Sequence, residues 1–281
     1  LLSKPFDRLH DGALGAGMQV ALTERSGIML LAVDVGNTNI VFGFFEKQRL
    51  VSSLRIATDH ARTADESGLL LNQFMQFKKL SPFTSMVVAT VVPKMEYVIR
   101  SLAADYYKLD PLFVQSTLKL NISFDYPRPN EIGADRICNA VAAYDRFGGP
   151  TIVVDFGTAT TFDLISEKGA YLGGAIAPGI ETSQSALAHR AAQLFKVAFE
   201  PPVSPIGKST EEAMKSGFYL GAIGQTEYLI ESILRSHQAD AKVIATGGLA
   251  TLIAPQSKYI TEVLPDITLD GLRLIYELNA G

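Results

Sequence analysis

An apolar run that ends in Asp-x-Gly occurs twice in this chain, as AVDVGNTNIVF from Ala32 and as VVDFGTATTFD from Val153, some 120 residues on. In both, small hydroxyl or amide residues follow the glycine and an apolar strand then resumes. One such turn is an ordinary β-hairpin, in which glycine supplies an unusual φ and Asp or Asn suits the bend. Two at matching places constrain the fold further. A carboxylate at the end of a buried strand is costly to desolvate, and a duplicated hairpin has no need of it. A ligand or a metal-bound water facing the carboxylate would offset that cost.

The elements around the two turns repeat as well. The first half reads as strands over Met29 to Val35, Ile40 to Phe45 and Leu50 to Ile56, a helix from Ala64 to Lys79 and a strand from Ser85 to Ala89. A helix opened by Pro93 (94–107), a strand from Pro111 to Val114 and a helix from Gly133 to Phe147, stopped by FGGP, complete it. The second half starts again with strands over Thr151 to Asp155, Thr160 to Ser166 and Ala170 to Ala177, then helices from Gly179 to Gln193 and Ser209 to Arg235. A strand from Lys242 to Ala245 and further alternating elements follow. The expected class is α/β, with two duplicated βββαβαβα domains over 29–148 and 149–281 whose turns face each other across a cleft. Residues 1–28 lack periodicity and an uninterrupted signal-peptide core, so they read as an extension outside the two domains, without a secretion signal.

With 281 residues, 47% of them hydrophobic, the chain can bury the large core that two such domains require. Its 25 basic and 29 acidic residues give a net charge of −4, and no basic run exceeds Lys78-Lys79, which argues against a nucleic-acid partner. The single cysteine, Cys138, excludes an internal disulfide and a cysteine zinc site, and the four histidines are too scattered to pair as ligands. No apolar run reaches the roughly 20 residues of a membrane helix. A cytoplasmic protein is expected.

Five stretches, DVGNTN (Asp34 to Asn39), GADR (Gly133 to Arg136), DFGTATT (Asp155 to Thr161), GGAIAPG (Gly173 to Gly179) and ATGGLA (Ala245 to Ala250), together resemble the type III pantothenate kinases. The resemblance runs from Met29 to the end and implies the acetate and sugar kinase/Hsp70/actin superfamily, in which two RNase H-like (actin-like ATPase) domains enclose a nucleotide. It implies ATP-dependent phosphorylation of pantothenate to 4′-phosphopantothenate, the first step toward coenzyme A. The first turn (Asp34, Val35, Gly36, Asn37, Thr38, Asn39, Ile40, Val41) and Thr158 of the second would bind ATP. Asp34 would hold Mg²⁺ through water, since that ion keeps its hydration shell. Asp155 would hold a monovalent cation, K⁺ or NH₄⁺, and Gly247 and Gly248 would make room for the adenosine.

The resemblance further implies that Asp135 accepts the proton of the attacking hydroxyl; its place in the first turn of a helix favours the ionised form. Arg136 would present a rigid fork to the pantothenate carboxylate, where the plain alternative is a surface ion pair with Glu131 or Asp145. Tyr126, Gly133, Ala134 and Thr210 would complete the pantothenate site. Family members are homodimers, and the small apolar stretch Ala140 to Ala143 suits either such a contact or the core. ATVVP before Pro93 departs from a serine-rich SSVVP.

GKST at Gly207 to Thr210 imitates the end of a phosphate-binding P-loop, but the position that motif reserves for its first glycine is Pro202, so the stretch reads as a helix entry with a solvated Lys208. Cys138 reads as a small buried hydrophobe. Two rival functions stand beside the kinase: another small-molecule kinase of the superfamily, and a nucleotide-binding regulator of the Bvg accessory factor type. The GADR stretch with Tyr126 favours the pantothenate kinase over the first, and Asp135, Arg136 and the absence of a basic stripe weigh against the second.

Overall fold

The structure, a computed structural model, describes residues 29–191, 193–238 and 240–280; the proposed extension, residues 1–28, lies outside them. The first turn joins β1 (Met29–Val35) to an antiparallel β2 (Asn39–Glu46), and β3 (Arg49–Ala57) forms the edge. β4 (Phe83–Thr90) and β5 (Leu112–Phe113) run parallel on the other side of β1, giving the order β3-β2-β1-β4-β5. Strand β6 (Ser123–Phe124), unexpected from its sequence, leaves this sheet for the other one.

β7 (Thr151–Phe156), β8 (Ala159–Ile165) and β9 (Ala170–Pro178) repeat the antiparallel trio, and β10 (Lys242–Thr246) and β11 (Ile260–Val263) add parallel strands beside β7. The order β11-β10-β7-β8-β9-β6 reproduces the first sheet with one strand added at its edge. The expected duplication of two RNase H-like halves is therefore present.

The helices are α1 (Ala64–Lys78), α2 (Pro93–Leu102), α3 (Ala134–Phe147), α4 (Ile180–Arg190), α5 (Thr210–His237), the short α6 (Ala250–Ile253) and α7 (Ile267–Asn279). Local chemistry fixes their starts. Thr63 and Glu66 close a reciprocal capping box on α1, and Ser209 caps α5 through the Glu212 N–H. The Thr90 hydroxyl in ATVVP accepts the Val92 N–H ahead of α2, which ends in a π-helical turn over 103–107 rather than as one regular helix.

Both faces of each sheet are covered, which is why β1 and β7 are apolar almost throughout. Met29, Leu31, Val33 and Val35 of β1 pack outward with α1 and α2, while Leu30 and Ala32 face a shared inner core. That inner core is built from α3 and α7 and is reached from the second sheet by Val153, Ile165 and Ile244. Ile152, Val154, Ile230 of α5 and Ile253 of α6 form the outer core of the second sheet. The layers thus run helices, sheet, α3 with α7, sheet, helices.

Two elements cross the division at 148/149: β6 joins the second sheet, and α7 packs on the first, with Leu269 against Gly43 and the Tyr276 hydroxyl 2.7 Å from Ser85 Oγ. Helix α7 also lies against α3, backbone to backbone, because Gly271 has no Cβ to hold Cys138 away. This closes one expectation. Ala140, Val141, Ala142 and Ala143 are all buried inside the chain, so that stretch is core and offers no surface to a second subunit.

Candidate active site

The two Asp-x-Gly turns meet. Thr38 Oγ1 and Thr158 Oγ1, one from each half, lie 2.8 Å apart. Each turn is tightened internally, by Gly36 N–H to Asn39 O at 3.0 Å and by Gly157 N–H to Ala159 O at 3.1 Å. Each is also braced from outside. Thr58 donates its hydroxyl to Gly36 O (2.7 Å) and its N–H to Thr38 O (2.9 Å). At the second turn, the start of α4 grips Thr158 O through Gly179 N–H (3.1 Å) and the Thr182 hydroxyl (2.7 Å). Asn37 and Thr38 are exposed at the tip, whereas Val35, Ile40 and Val41 are buried, so a ligand could meet those three only through their backbone. Beside the turns opens a cavity of about 550 Å³ bounded by Thr38 and, from the second half, Thr182, Gln184 and Lys196. The Gln184 amide nitrogen is buried there without a partner.

Behind the turns, Asp34 and Asp155 are the next-to-last residues of β1 and β7, and Asp135 sits in the first turn of α3. Burial, then the charges of Asp135 and Asp155, push the Asp34 carboxyl up to about 8. Burial and then Asp135 push Asp155 up to about 7. For Asp135 the start of α3 was expected to favour the ionised form; instead desolvation raises its carboxyl and outweighs the bond accepted from the Arg136 N–H at 2.8 Å. A carboxyl tuned upward is a better proton acceptor when ionised.

Asp155 is positioned by a relay that no motif signals. Asn139 Nδ2 donates to Asp155 Oδ2 at 3.2 Å, and the Thr268 hydroxyl of α7 donates to Asn139 Oδ1 at 2.7 Å. On the other side a Cβ at Gly247, whose φ is +92°, would come 2.6 Å from Asp155 Oδ1. The missing side chain of Gly247 makes room for Asp155 and the Phe156 carbonyl, while Gly248 faces open space.

Among the described residues no cluster of three or more His, Cys, Asp or Glu is compact enough to enclose a metal ion, and no ion pair closes on Asp34, Asp135 or Asp155. The carboxylates repel one another, and the charges of Arg55 on Asp34 and Arg136 on Asp135 only partly offset this.

Arg136, one residue after Asp135, does not make the surface pair with Glu131 or Asp145. It pairs with Asp163 of β8, which is fully buried, at 2.6 Å. The Tyr171 hydroxyl donates to the same carboxylate at 2.6 Å, and the Tyr171 ring meets Tyr126 edge-on, 5.9 Å between centroids. Tyr126 in turn covers Gly173, where a Cβ would lie 3.3 Å from its ring. Tyr126 is thus linked through Tyr171 and Asp163 to Arg136, which follows Gly133, Ala134 and Asp135 directly in the chain. Thr210 is not joined to them within this chain; it is the exposed first residue of α5, next to the capping Ser209 and the exposed Lys208. Cys138 is buried, and desolvation pushes its thiol well above its ordinary value.

Sequence reasoning missed Asn139, Asp163, Tyr171 and Thr268. Two signals were available: an amide one helical turn after Asp135 in an otherwise apolar stretch, and a carboxylate inside the apolar strand TTFDLI.

A family model described as type III pantothenate kinase matches residues 30–232. Type III pantothenate kinases of Anaeromyxobacter sp. (strain Fw109-5) and Moorella thermoacetica are each 47% identical over 253 residues, which is 89% of this chain and the whole of each relative. Among solved structures, a Baf family protein from Campylobacter jejuni superposes with a TM-score of 0.55 at 20% identity, covering 89% of this chain and 98% of that one. At that identity the last comparison speaks to the fold alone. On the sequence matches, which span most of its length, the chain belongs to the type III pantothenate kinase family.

Proposed function

We propose that this chain transfers the terminal phosphoryl group of ATP to the hydroxyl of pantothenate, giving 4′-phosphopantothenate. The observation that carries the reading is the meeting of the two turns through Thr38 and Thr158, beside three largely desolvated carboxylates. Phosphoryl transfer asks a protein chiefly for alignment and charge placement, and a two-sided clamp supplies both. Backbone N–H groups and side chains from Asp34 to Val41, together with Thr158, hold the phosphates. Asp135 takes the proton of the attacking hydroxyl. Arg136 receives the substrate carboxylate, while Tyr126, Gly133 and Ala134 wall the site and Thr210 adds a contact at its edge.

Asp34 would hold Mg²⁺ through water and Asp155 would hold K⁺ or NH₄⁺; bound there, the cations would neutralise phosphate charge and relieve the carboxylate repulsion. The working form is proposed to be a cytoplasmic homodimer. The test is ATP turnover with Mg²⁺ and pantothenate, in potassium and in sodium salts. Turnover that needs both pantothenate and potassium or ammonium is the expected result. ATP binding without turnover in any salt would overturn the reading, and a monomeric mass in light scattering would remove the dimer.

A further inference from the structure

A guanidinium has two forked faces, a side face of Nε with Nη2 and an end face of Nη1 with Nη2. In Arg136 the side face is taken. Nε donates to Asp163 Oδ1 at 3.0 Å and Oδ2 at 3.3 Å, and Nη2 donates to Oδ1 at 2.6 Å. Asp163 itself is held on both oxygens, by the Tyr171 hydroxyl on Oδ1 and by the Thr161 hydroxyl at 3.3 Å on Oδ2. Its side chain has no exposure, whereas that of Arg136 keeps 14%. Nε and Nη2 are thus committed to Asp163, and Nη1 makes no bond to it.

A strand that served only to fill the core would do better with an apolar residue at 163, since an apolar replacement of a buried ion pair is often neutral or stabilising. What the pair contributes is orientation. We propose that Asp163 is a positioning residue: by clamping the side face of Arg136 it leaves only the end face for the carboxylate of the substrate, and through Tyr171 it sets Tyr126 against the same site. The proposal rests on the assignment of Arg136 to the pantothenate carboxylate. It makes Asp163 a determinant of selectivity for an acid over a neutral substrate. Because Asp163 already balances the charge of Arg136, that selectivity comes from two aligned N–H donors more than from net charge.

The test compares pantothenate with pantothenol, in which the carboxylate is reduced to an alcohol while the phosphate-accepting hydroxyl is retained. In Asp163→Asn the KM for pantothenate is expected to rise about 10- to 100-fold, the range for losing a charge-assisted hydrogen bond. The KM for pantothenol and both kcat values should change by less than about 3-fold. Tyr171→Phe keeps the carboxylate and removes one bond that fixes it; it should give the same selective rise at about 3- to 10-fold, and it serves if Asp163→Asn does not fold. An equal rise for both substrates, or none for pantothenate, overturns the proposal. Arg136→Lys separates the two layers of argument. If it leaves the preference for the acid intact, the assignment of Arg136 fails; if it erases that preference while Asp163→Asn retains it, only the positioning role fails.

Discussion

Replacing Gly271 by alanine tests whether the spacing of α3 and α7 is set by backbone contact. A Cβ at this position would stand 2.5 Å from the Cys138 carbonyl carbon and 2.8 Å from its Cα, well inside ordinary contact. The atoms met belong to the backbone, so no rotamer change relieves the clash and one helix must move by roughly 1 Å. Two terms oppose each other. Alanine gains about 1 kcal/mol over glycine inside a helix, while overpacking costs about 1–3 kcal/mol, and a rigid contact belongs at the upper end. The net expectation is about 2 kcal/mol of destabilisation, or a Tm lower by about 4–8 °C in a chain of this size. Helix α3 carries Asp135 and Asn139, and a displacement of about 1 Å at a reacting group costs up to about 10²-fold in rate. Thermal unfolding and kcat are therefore measured together. Gly217→Ala in α5, where a Cβ would meet nothing, is the control and should raise stability by about 0.5–1 kcal/mol. A Tm for Gly271→Ala that is unchanged or higher, with kcat intact, would refute the reasoning.

Asp135→Asn should leave ATP binding intact, measured by calorimetry, and lower kcat by about 10²- to 10⁴-fold; near-normal turnover would remove Asp135 from the proton-accepting role. Asp155→Ala should abolish the dependence on potassium or ammonium, and Asn139→Ala should raise the cation concentration needed for half-maximal activity; an unchanged dependence in Asp155→Ala would move the cation site elsewhere. In buffers free of Mg²⁺ and small monovalent cations, stability should fall as pH rises from about 4 to about 8, because Asp34 and Asp155, raised to about 8 and about 7, keep protons that the unfolded chain releases. Urea midpoints across that range check it, and a rising midpoint would contradict the burial of the two carboxyls.

Most of the strands and long helices were legible because the sheets are covered on both sides, which turns β1 and β7 into uninterrupted apolar runs. The turns were legible because a carboxylate and a glycine at the end of such a run are locally odd. What was not legible depends on contacts between distant segments. β6 has two residues and exists only because β9 leaves an edge beside it. The roles of Asn139 and Asp163 depend on what α7 and α3 bring to them, and neither partner is near in sequence. The raised carboxyl of Asp135 was hidden for the same reason: the helix start is a local feature, whereas the desolvation that outweighs it comes from the assembled core.

The duplication accounts for the meeting of the two turns, and the departures from it account for the differences around them. The two halves supply equivalent turns that meet at Thr38 and Thr158, an arrangement that favours neither half and suits the proposed grip on phosphates from both sides. The closing helices, α3 and α7, occupy equivalent places and pack against each other between the sheets. The second residue of each is polar: Asp135 in α3 and Thr268 in α7. Asp135 accepts the Arg136 N–H and is the residue proposed to take the proton of the substrate hydroxyl. Thr268 instead reaches Asn139 on the partner helix, and Asn139 fixes Asp155. One copy of the helix start thus presents a carboxylate behind the turns, the proposed proton acceptor, and the other supports the opposing turn. Such a division also accounts for the close approach at Gly271, since a relay from one helix through the other to Asp155 works only while the two remain in backbone contact.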